Sequence, residues 1–159
     1  MGVGKTTTGK IVAKKQSLEF IDTDLAIEKK CSMTILEIFK KKGEKFFRNE
    51  EEKEVLKLIK KKNCVIALGG GAFINNSIRS NVLKNSISIW LDTNLKTLGK
   101  RIKWNRKRPL LDNKNNEKII NQLYSKRKSI YKLANHRIDC SNLDKSTIVD
   151  KIINFYEKH

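Results

Sequence analysis

Short apolar runs separated by longer amphipathic stretches constrain the fold of this 159-residue chain more than any other feature. The run at 64–68 (Cys-Val-Ile-Ala-Leu) does not alternate with polar residues, as expected of a strand buried on both faces. Similar runs predict strands at 18–21, 87–91 and 138–140, and periodic stretches predict helices at 6–15, 34–43, 44–61, 94–103, 117–133 and 145–156. Strands separated by helices predict an α/β fold with a parallel sheet.

The length fits one globular domain, which we expect to span residues 1–159. No apolar run approaches the ~20 residues of a membrane span, and no secretory signal follows Met1, so no membrane association is expected. The three cysteines, Cys31, Cys64 and Cys140, are odd in number and widely spaced. This pattern argues against a disulfide framework or a zinc site and suits a reducing compartment.

The chain is strongly basic, with 35 Lys and Arg against 17 Asp and Glu and a net charge of +18. Such a charge suggests a polyanionic partner. However, 28 of these basic residues are lysines and only 7 are arginines, whereas nucleic-acid readers depend on bidentate arginine contacts. We therefore favour compositional drift on a solvated surface, do not expect nucleic acid as a partner, and treat each arginine as more informative than each lysine.

A glycine-rich loop opens the first predicted helix. Gly2-Val3-Gly4-Lys5-Thr6 matches the second half of the Walker A motif, G-x-x-x-x-G-K-[ST]. In that motif the backbone N–H groups and the helix N-terminus hold phosphates, the lysine reaches the β- and γ-phosphates, and the hydroxyl ligates Mg²⁺. The first glycine and the preceding strand would lie upstream of Met1. We expect Met1 to be an internal methionine of a longer chain; a decayed product is the alternative.

Polar and glycine residues follow the predicted strands. Asp22 and Asp24 end the first, three glycines (Gly69, Gly70 and Gly71) end the second, and Asp92 ends the third. Ligands of parallel sheets bind beyond the carboxyl ends of the strands. The two aspartates could serve Mg²⁺ and a substrate hydroxyl, or form only a turn with a helix cap. The glycines could let backbone approach a ligand closely, or form only a flexible turn.

Together these residues resemble the shikimate kinase family over nearly the whole chain. The shared segments occur in the order and at the spacing of that family. They are Met1-Gly-Val-Gly-Lys-Thr-Thr, Phe20-Ile-Asp-Thr-Asp24, Ile38-Phe39 with Gly43-Glu44 and Phe47-Arg48, Ile66-Ala-Leu-Gly-Gly-Gly-Ala72, Trp90-Leu-Asp92, Arg108-Pro-Leu-Leu111 and Arg127-x-x-x-Tyr131-x-x-x-Asn135. The resemblance implies a P-loop NTPase fold of the nucleoside-monophosphate-kinase type. That fold has three αβα layers around a five-stranded parallel sheet, substrate-binding helices at about 24–62 and a lid at about 103–116.

The resemblance also implies an activity: transfer of the ATP γ-phosphate to the 3-hydroxyl of shikimate, giving shikimate 3-phosphate and ADP. This reaction belongs to chorismate and aromatic amino-acid biosynthesis. The implied cofactor is Mg²⁺, and the implied partners are shikimate and ATP. A monomer in the cytoplasm, or in an equivalent stroma or endosymbiont compartment, is implied as well.

The resemblance assigns roles residue by residue. Asp24, Lys5 and Arg108 would be catalytic, with Asp24 as the base that holds the acceptor hydroxyl and Arg108 in the lid. Shikimate would contact Asp24, Arg48, Arg127 and the backbone of Gly69, Gly70 and Gly71. Mg²⁺ would lie near Thr6 and Asp22. The ATP-binding residues would be Gly2, Val3, Gly4, Lys5, Thr6, Thr7, Arg101 and Arg108.

Two alternatives remain open from the sequence. Another P-loop kinase of a small hydroxylated acid, such as a gluconate kinase, would also use two arginines for a carboxylate. A non-catalytic, basic nucleic-acid-binding protein on a decayed kinase fold would account for the net charge. It predicts DNA or RNA affinity that survives at moderate salt and no ATP turnover, whereas purely lysine-driven binding would fall steeply with salt.

Overall fold

The computed structural model of the chain describes residues 2–95, 97, 98 and 116–159. Four short strands alternate with helices along the described chain. The strands are β1 (Glu19–Asp22), β2 (Cys64–Ala67), β3 (Ile89–Asp92) and β4 (His136–Asp139). The helices are α1 (Lys5–Lys15), α2 (Thr23–Cys31), α3 (Ile35–Leu58), α4 (Asn76–Asn85), α5 (Asn116–Tyr131) and α6 (Lys145–Tyr156), with a 3-10 turn at Ala72–Ile74.

All strand pairing is parallel. β1 pairs with β2, Asp22 lying opposite Ala67, and β3 pairs with β4, Asp92 lying opposite Asp139. The resemblance implied five strands, with the first of them expected upstream of Met1, and the described residues form four. They form two parallel pairs because no described strand lies between β2 and β3. A cavity of about 120 Å³, lined mostly by apolar side chains, is instead bounded by the residues after β2 and by β3.

Helices cover the strands in two layers. α1 packs on β1 and β2 and against α6. The other layer is α3, α4 and α5, which meet in a cluster built on Val55, Phe73, Ile78 and Val82, with Tyr131 packed against it. In β2 only Ala67 is buried and the other three residues are partly buried, so the burial on both faces expected from the unalternating run is only partial. The three-layer α/β architecture expected from the sequence is confirmed.

Local signals account for the bounds of α3. The hydroxyl of Thr34 accepts from the backbone of Glu37, and the Glu37 carboxylate accepts from the backbone of Thr34, which forms a capping box. Gly43 interrupts the helix with φ 82° and ψ 169°, a conformation open essentially to glycine alone. The break predicted between helices at residue 43 is therefore present as a kink inside one continuous segment.

The structure contains two helices that the sequence periodicity did not predict. α2 buries only Thr23 and Ile27, and α4 buries only Ile78 and Val82. Two buried residues in a helix give a weak period, since an amphipathic stripe needs three or four per two turns. Both helices are nevertheless capped, α2 by Asp22 and α4 by Asn75.

Candidate active site

The N-terminus of α1 follows the glycine-rich loop. Gly4 is the N-cap residue with φ 91°, and its carbonyl accepts from Thr8 N–H at 2.9 Å. A left-handed N-cap suits glycine and leaves the first N–H groups of α1 directed out of the helix end. Lys5 is the first residue of α1, and Thr7 is exposed on it. Val3 is buried and packs with Leu98.

The carboxyl end of β1 meets this loop. The Thr6 hydroxyl donates to Asp22 Oδ2 at 2.7 Å, although the residues are 16 positions apart in sequence. Asp22 Oδ1 accepts from the backbone N–H of Asp24 at 3.0 Å and so caps α2. Asp22 therefore combines both interpretations of the sequence, a helix cap and a polar group beside the phosphate loop.

Thr23 joins the ends of β1 and β2. Its side chain is fully buried, and its hydroxyl donates to the Ala67 carbonyl at 3.2 Å and accepts from Gly69 N–H at 2.9 Å. The two bonds fix the backbone at the start of the glycine run relative to Asp24, the next residue.

The glycine run provides close approach to side chains and not only a turn. A Cβ on Gly69 would lie 2.6 Å from Asp24 Oδ1 and 2.8 Å from Glu51 Oε1. A Cβ on Gly71 would lie 2.6 Å from Arg48 Nη1. Real Cβ atoms essentially never lie that close to other atoms, so a larger residue at either position would displace a charged group of the site.

Arg48 and Glu51 form the most buried ion pair of the site. Arg48 Nη1 donates to Glu51 Oε2 at 2.7 Å, and Arg48 Nη2 also contacts the exposed Glu44 at 3.2 Å. Burial raises the pKa of Glu51 and outweighs the opposing effect of Arg48. For Arg48, burial lowers the pKa, but the bonds and charges of Glu51 and Glu44 outweigh it and leave a net rise. The Arg48 guanidinium therefore keeps its positive charge at neutral pH.

α5 brings a second arginine to the same loop. Arg127 Nη1 donates to the Gly70 carbonyl at 3.1 Å, and the Tyr131 hydroxyl donates to the same oxygen. Burial raises the pKa of Tyr131, which keeps the phenol protonated and able to donate at neutral pH. Arg127 also lies near enough to Glu51 to influence its ionisation. Two guanidinium groups from different helices therefore converge on Gly70 and Gly71.

The structure brings most of the predicted residues together and reveals others. Asp24, Arg48 and Arg127 meet at the loop of Gly69, Gly70 and Gly71. Asp22 instead lies beside Thr6 at the adjacent helix, which begins at Lys5. Arg101, Arg108 and the predicted lid at about 103–116 lie outside the described residues apart from the backbone of residue 116. Thr23, Glu51 and Tyr131 were assigned no role from the sequence. Only Glu51 had a local signal, its position three residues after Arg48 on one helix face.

Oxygen atoms are present where Mg²⁺ is expected. The Thr6 hydroxyl and the Asp22 carboxylate lie 2.7 Å apart at the start of α1, and hydroxyl and carboxylate oxygens suit this hard cation. Within the described ranges no group of three or more His, Cys, Asp or Glu could hold a metal by itself.

The fold and the site define the class as a P-loop kinase, in which a glycine-rich loop, a lysine and a helix N-terminus meet an acceptor pocket at the ends of parallel strands. The sequence model of the shikimate kinase family matches residues 1–157, and the chain belongs to that family.

Named relatives and solved structures that resemble this chain are also shikimate kinases. The chain is 42% identical over 153 residues to shikimate kinase from Bartonella henselae, covering 96% of this chain and 73% of the relative. It is 40% identical to the Sulfurihydrogenibium sp. enzyme, covering 96% and 91%. Shikimate kinase from Acinetobacter baumannii, solved in complex with shikimate, superposes with a TM-score of 0.95 at 32% identity, covering 99% of this chain and 89% of that one.

Proposed function

We propose that this chain transfers the γ-phosphate of ATP to the 3-hydroxyl of shikimate, giving shikimate 3-phosphate and ADP. The observation that carries the proposal is the convergence of Arg48 and Arg127 on the glycine loop beside Asp24. Two planar guanidinium groups suit a carboxylate, which they can bind through paired hydrogen bonds. Asp24 follows the buried Thr23 in sequence and lies close to Gly69. Its carboxylate is the group that would hold the hydroxyl of the acceptor.

The nucleotide side of the proposal uses the glycine loop and α1. Gly2, Val3, Gly4 and Thr7 surround the phosphates with backbone N–H groups and the positive end of α1. Lys5 neutralises charge on the β- and γ-phosphates. Thr6 and Asp22 hold Mg²⁺, which supplies charge neutralisation on the phosphate oxygens. From the family resemblance, Arg108 closes over the transferring phosphate from the lid, and Arg101 packs near adenine.

Asp24 acts as the general base in this proposal. As the hydroxyl oxygen forms its bond to the γ-phosphorus, the hydroxyl proton passes to the Asp24 carboxylate. The bond between the γ-phosphorus and the β,γ-bridging oxygen breaks, and that electron pair leaves on ADP. Arg48 and Arg127 orient the acceptor for this in-line transfer without touching the reacting atoms.

A coupled assay of ADP release with ATP and Mg²⁺ tests the proposal, with shikimate and gluconate as parallel acceptors. We expect turnover with shikimate and little with gluconate. Asp24→Asn should lower turnover by about 10²-fold or more with ATP affinity retained. Preference for gluconate, or an unchanged rate for Asp24→Asn, would contradict the assigned substrate or base.

Membership of the family also supports a proposal about the compartment, the oligomeric state and the pathway of this chain. We infer a cytoplasmic monomer, or its equivalent in a stroma or an endosymbiont, that serves aromatic amino-acid biosynthesis. In the part of the chain that the structure describes, none of the helices has the length and apolar character required to cross a membrane.

A further inference from the structure

One face of α5 is attached to the ends of both strand pairs. Tyr124, Arg127 and Tyr131 are spaced three and four residues apart, which places them on the same side of the helix. Tyr131 and Arg127 both donate to the Gly70 carbonyl after β2. Tyr124 donates through its hydroxyl to Asp92 Oδ1, at the end of β3, at 3.1 Å. Arg127 thus lies between two tyrosines that attach α5 at two separate points.

The hydrogen bond of Tyr124 is accepted by the buried carboxylate of Asp92, and both oxygens of this carboxylate have hydrogen-bond partners. Asp92 is only 3% exposed, although it lies at a strand end. Its Oδ1 accepts from the backbone N–H of Thr93 at 2.9 Å as well as from Tyr124. Its Oδ2 accepts from Arg137 Nε at 2.9 Å and lies 2.8 Å from Arg137 Nη2. Arg137 therefore neutralises the buried charge through a fork of two nitrogens.

Arg137 is itself held in place by its neighbours. It lies opposite Trp90 in the register of β3 and β4, and its guanidinium lies over the Trp90 ring at 5.3 Å from the centroid. Trp90 also contacts the Tyr131 ring, at 6.0 Å between centroids. The attachment of α5 is thus built from β3, β4 and α5 together, and the bond to a charged acceptor is stronger than one between neutral groups.

We propose that Asp92 is a positioning residue for substrate binding, which acts through Tyr124 to hold Arg127 at the shikimate pocket. The inference rests on the proposed role of Arg127. Asp92 is at the end of β3, whereas Arg48 and Arg127 converge on the loop after β2. The hydrogen bond that links Asp92 to the helix of Arg127 is the one from Tyr124. With Tyr131 bound to Gly70 and Tyr124 bound to Asp92, the α5 turn between them keeps the Arg127 side chain directed at the loop.

The test removes one hydroxyl. Tyr124→Phe keeps the ring and deletes only the bond to Asp92. We expect the shikimate Kd and KM to rise about three- to tenfold, with kcat within about twofold and with the Kd for ATP and Mg²⁺ unchanged. Asp92→Asn should change the same constants in the same direction, and adding Tyr124→Phe to it should produce little more, since the two groups act as one unit. Tyr156→Phe, at an exposed tyrosine on α6, is the matched control and should change nothing.

Titration calorimetry is carried out with shikimate, and separately with ATP and Mg²⁺, on Tyr124→Phe and on Arg127→Ala. The two variants together distinguish failure of the proposed Arg127 role from failure of the proposed Asp92 role. An unchanged shikimate Kd for Arg127→Ala overturns the proposed role of Arg127, and this inference with it. If Arg127→Ala raises the shikimate Kd while Tyr124→Phe leaves it unchanged, only the positioning role of Asp92 is overturned. Equal losses of shikimate and ATP affinity in Tyr124→Phe also overturn it, because they show a general structural effect.

Discussion

Glu51 accepts a hydrogen bond of 2.7 Å from Arg48 Nη1 while its own side chain is 2% exposed. The other partner of Arg48, Glu44, is 54% exposed. Both glutamates lie on α3, on either side of Arg48. Only the buried one lies near Gly69 and Asp24, so the direction of the guanidinium toward the glycine loop depends on Glu51 rather than on Glu44.

Glu51→Gln should weaken the site more than the fold. An amide keeps the shape of the side chain but replaces the charged acceptor of Arg48 by a neutral one, and because burial opposes that charge, we expect the free energy of unfolding near pH 7 to change by no more than about 1 kcal/mol. The shikimate Kd should rise about tenfold as Arg48 loses its orientation, and the ATP Kd should stay the same. Urea unfolding and titration calorimetry measure the two effects.

Glu44→Gln is the matched control for this change. It removes the exposed ion pair of the same arginine, and exposed i, i+4 pairs contribute only about 0.3–0.5 kcal/mol. We expect a near-normal shikimate Kd. If Glu44→Gln weakened binding as much as Glu51→Gln, general electrostatic attraction rather than a buried, directed contact would orient Arg48.

The stability difference between Glu51→Gln and the natural chain should depend on pH. Burial raises the pKa of Glu51 above its ordinary 4.5, so the folded state retains this proton at pH values where the unfolded state has lost it. The stability of the natural chain therefore falls, relative to the variant, as the pH rises from about 4.5 through the folded pKa. Urea midpoints of both proteins between pH 4 and pH 8 measure this trend, and a constant difference across the range would contradict the raised pKa.

Gly71→Ala and Gly43→Ala should affect different properties. A Cβ on Gly71 would lie 2.6 Å from Arg48 Nη1, the end of a flexible side chain that can move, so we expect lower shikimate affinity with stability nearly retained. At Gly43 nothing lies within 4 Å of an added Cβ, but φ is 82°. Alanine there should cost about 1–3 kcal/mol in strain, with a normal Kd for the folded protein. Thermal unfolding and calorimetry on both variants would show whether the two effects separate.

Thr23→Val should destabilise the junction of β1 and β2. The valine keeps the volume but leaves the buried Gly69 N–H and one bond of the Ala67 carbonyl unsatisfied, at about 1–3 kcal/mol. Hydrogen exchange of the Gly69 amide should become faster. Thr23→Ser, which keeps the hydroxyl, should recover most of the lost stability; equal loss in both variants would point to methyl packing instead.

The features of the fold and site that could be predicted from the sequence are those set by residues close together in the chain. The strand at β2 and the helix at Lys145–Tyr156 were predictable because apolar residues fall at a clear period or in a clear run. The position of Asp24 beside the glycines was predictable from the strand ends, and the convergence of Arg48 and Arg127 on them was predictable from the family motifs. The periodicity of the sequence missed the helices α2 and α4 because each buries only two residues, although the resemblance placed substrate-binding helices at about 24–62.

The remaining features depend on contacts between distant positions. The bonds of Thr23 to Ala67 and Gly69 span more than 40 residues, and the Tyr131 bond to Gly70 spans 61. No local pattern specifies them, because a buried hydroxyl gains its partner only when the strands have come together.

Arg127→Lys should separate recognition of the carboxylate from recognition of the nucleotide. A lysine keeps the positive charge but loses the planar fork, and its shorter reach no longer places a donor beside Gly70. We expect the shikimate Kd to rise about ten- to a hundredfold, with the ATP Kd within about twofold. Lys126→Arg, at the preceding position of α5, is the matched control, since its side chain is exposed on the same helix. Calorimetry with each substrate alone measures the two constants. Equal weakening of both in Arg127→Lys would remove Arg127 from the acceptor pocket, because a residue that orients only the acceptor has no means of changing nucleotide affinity.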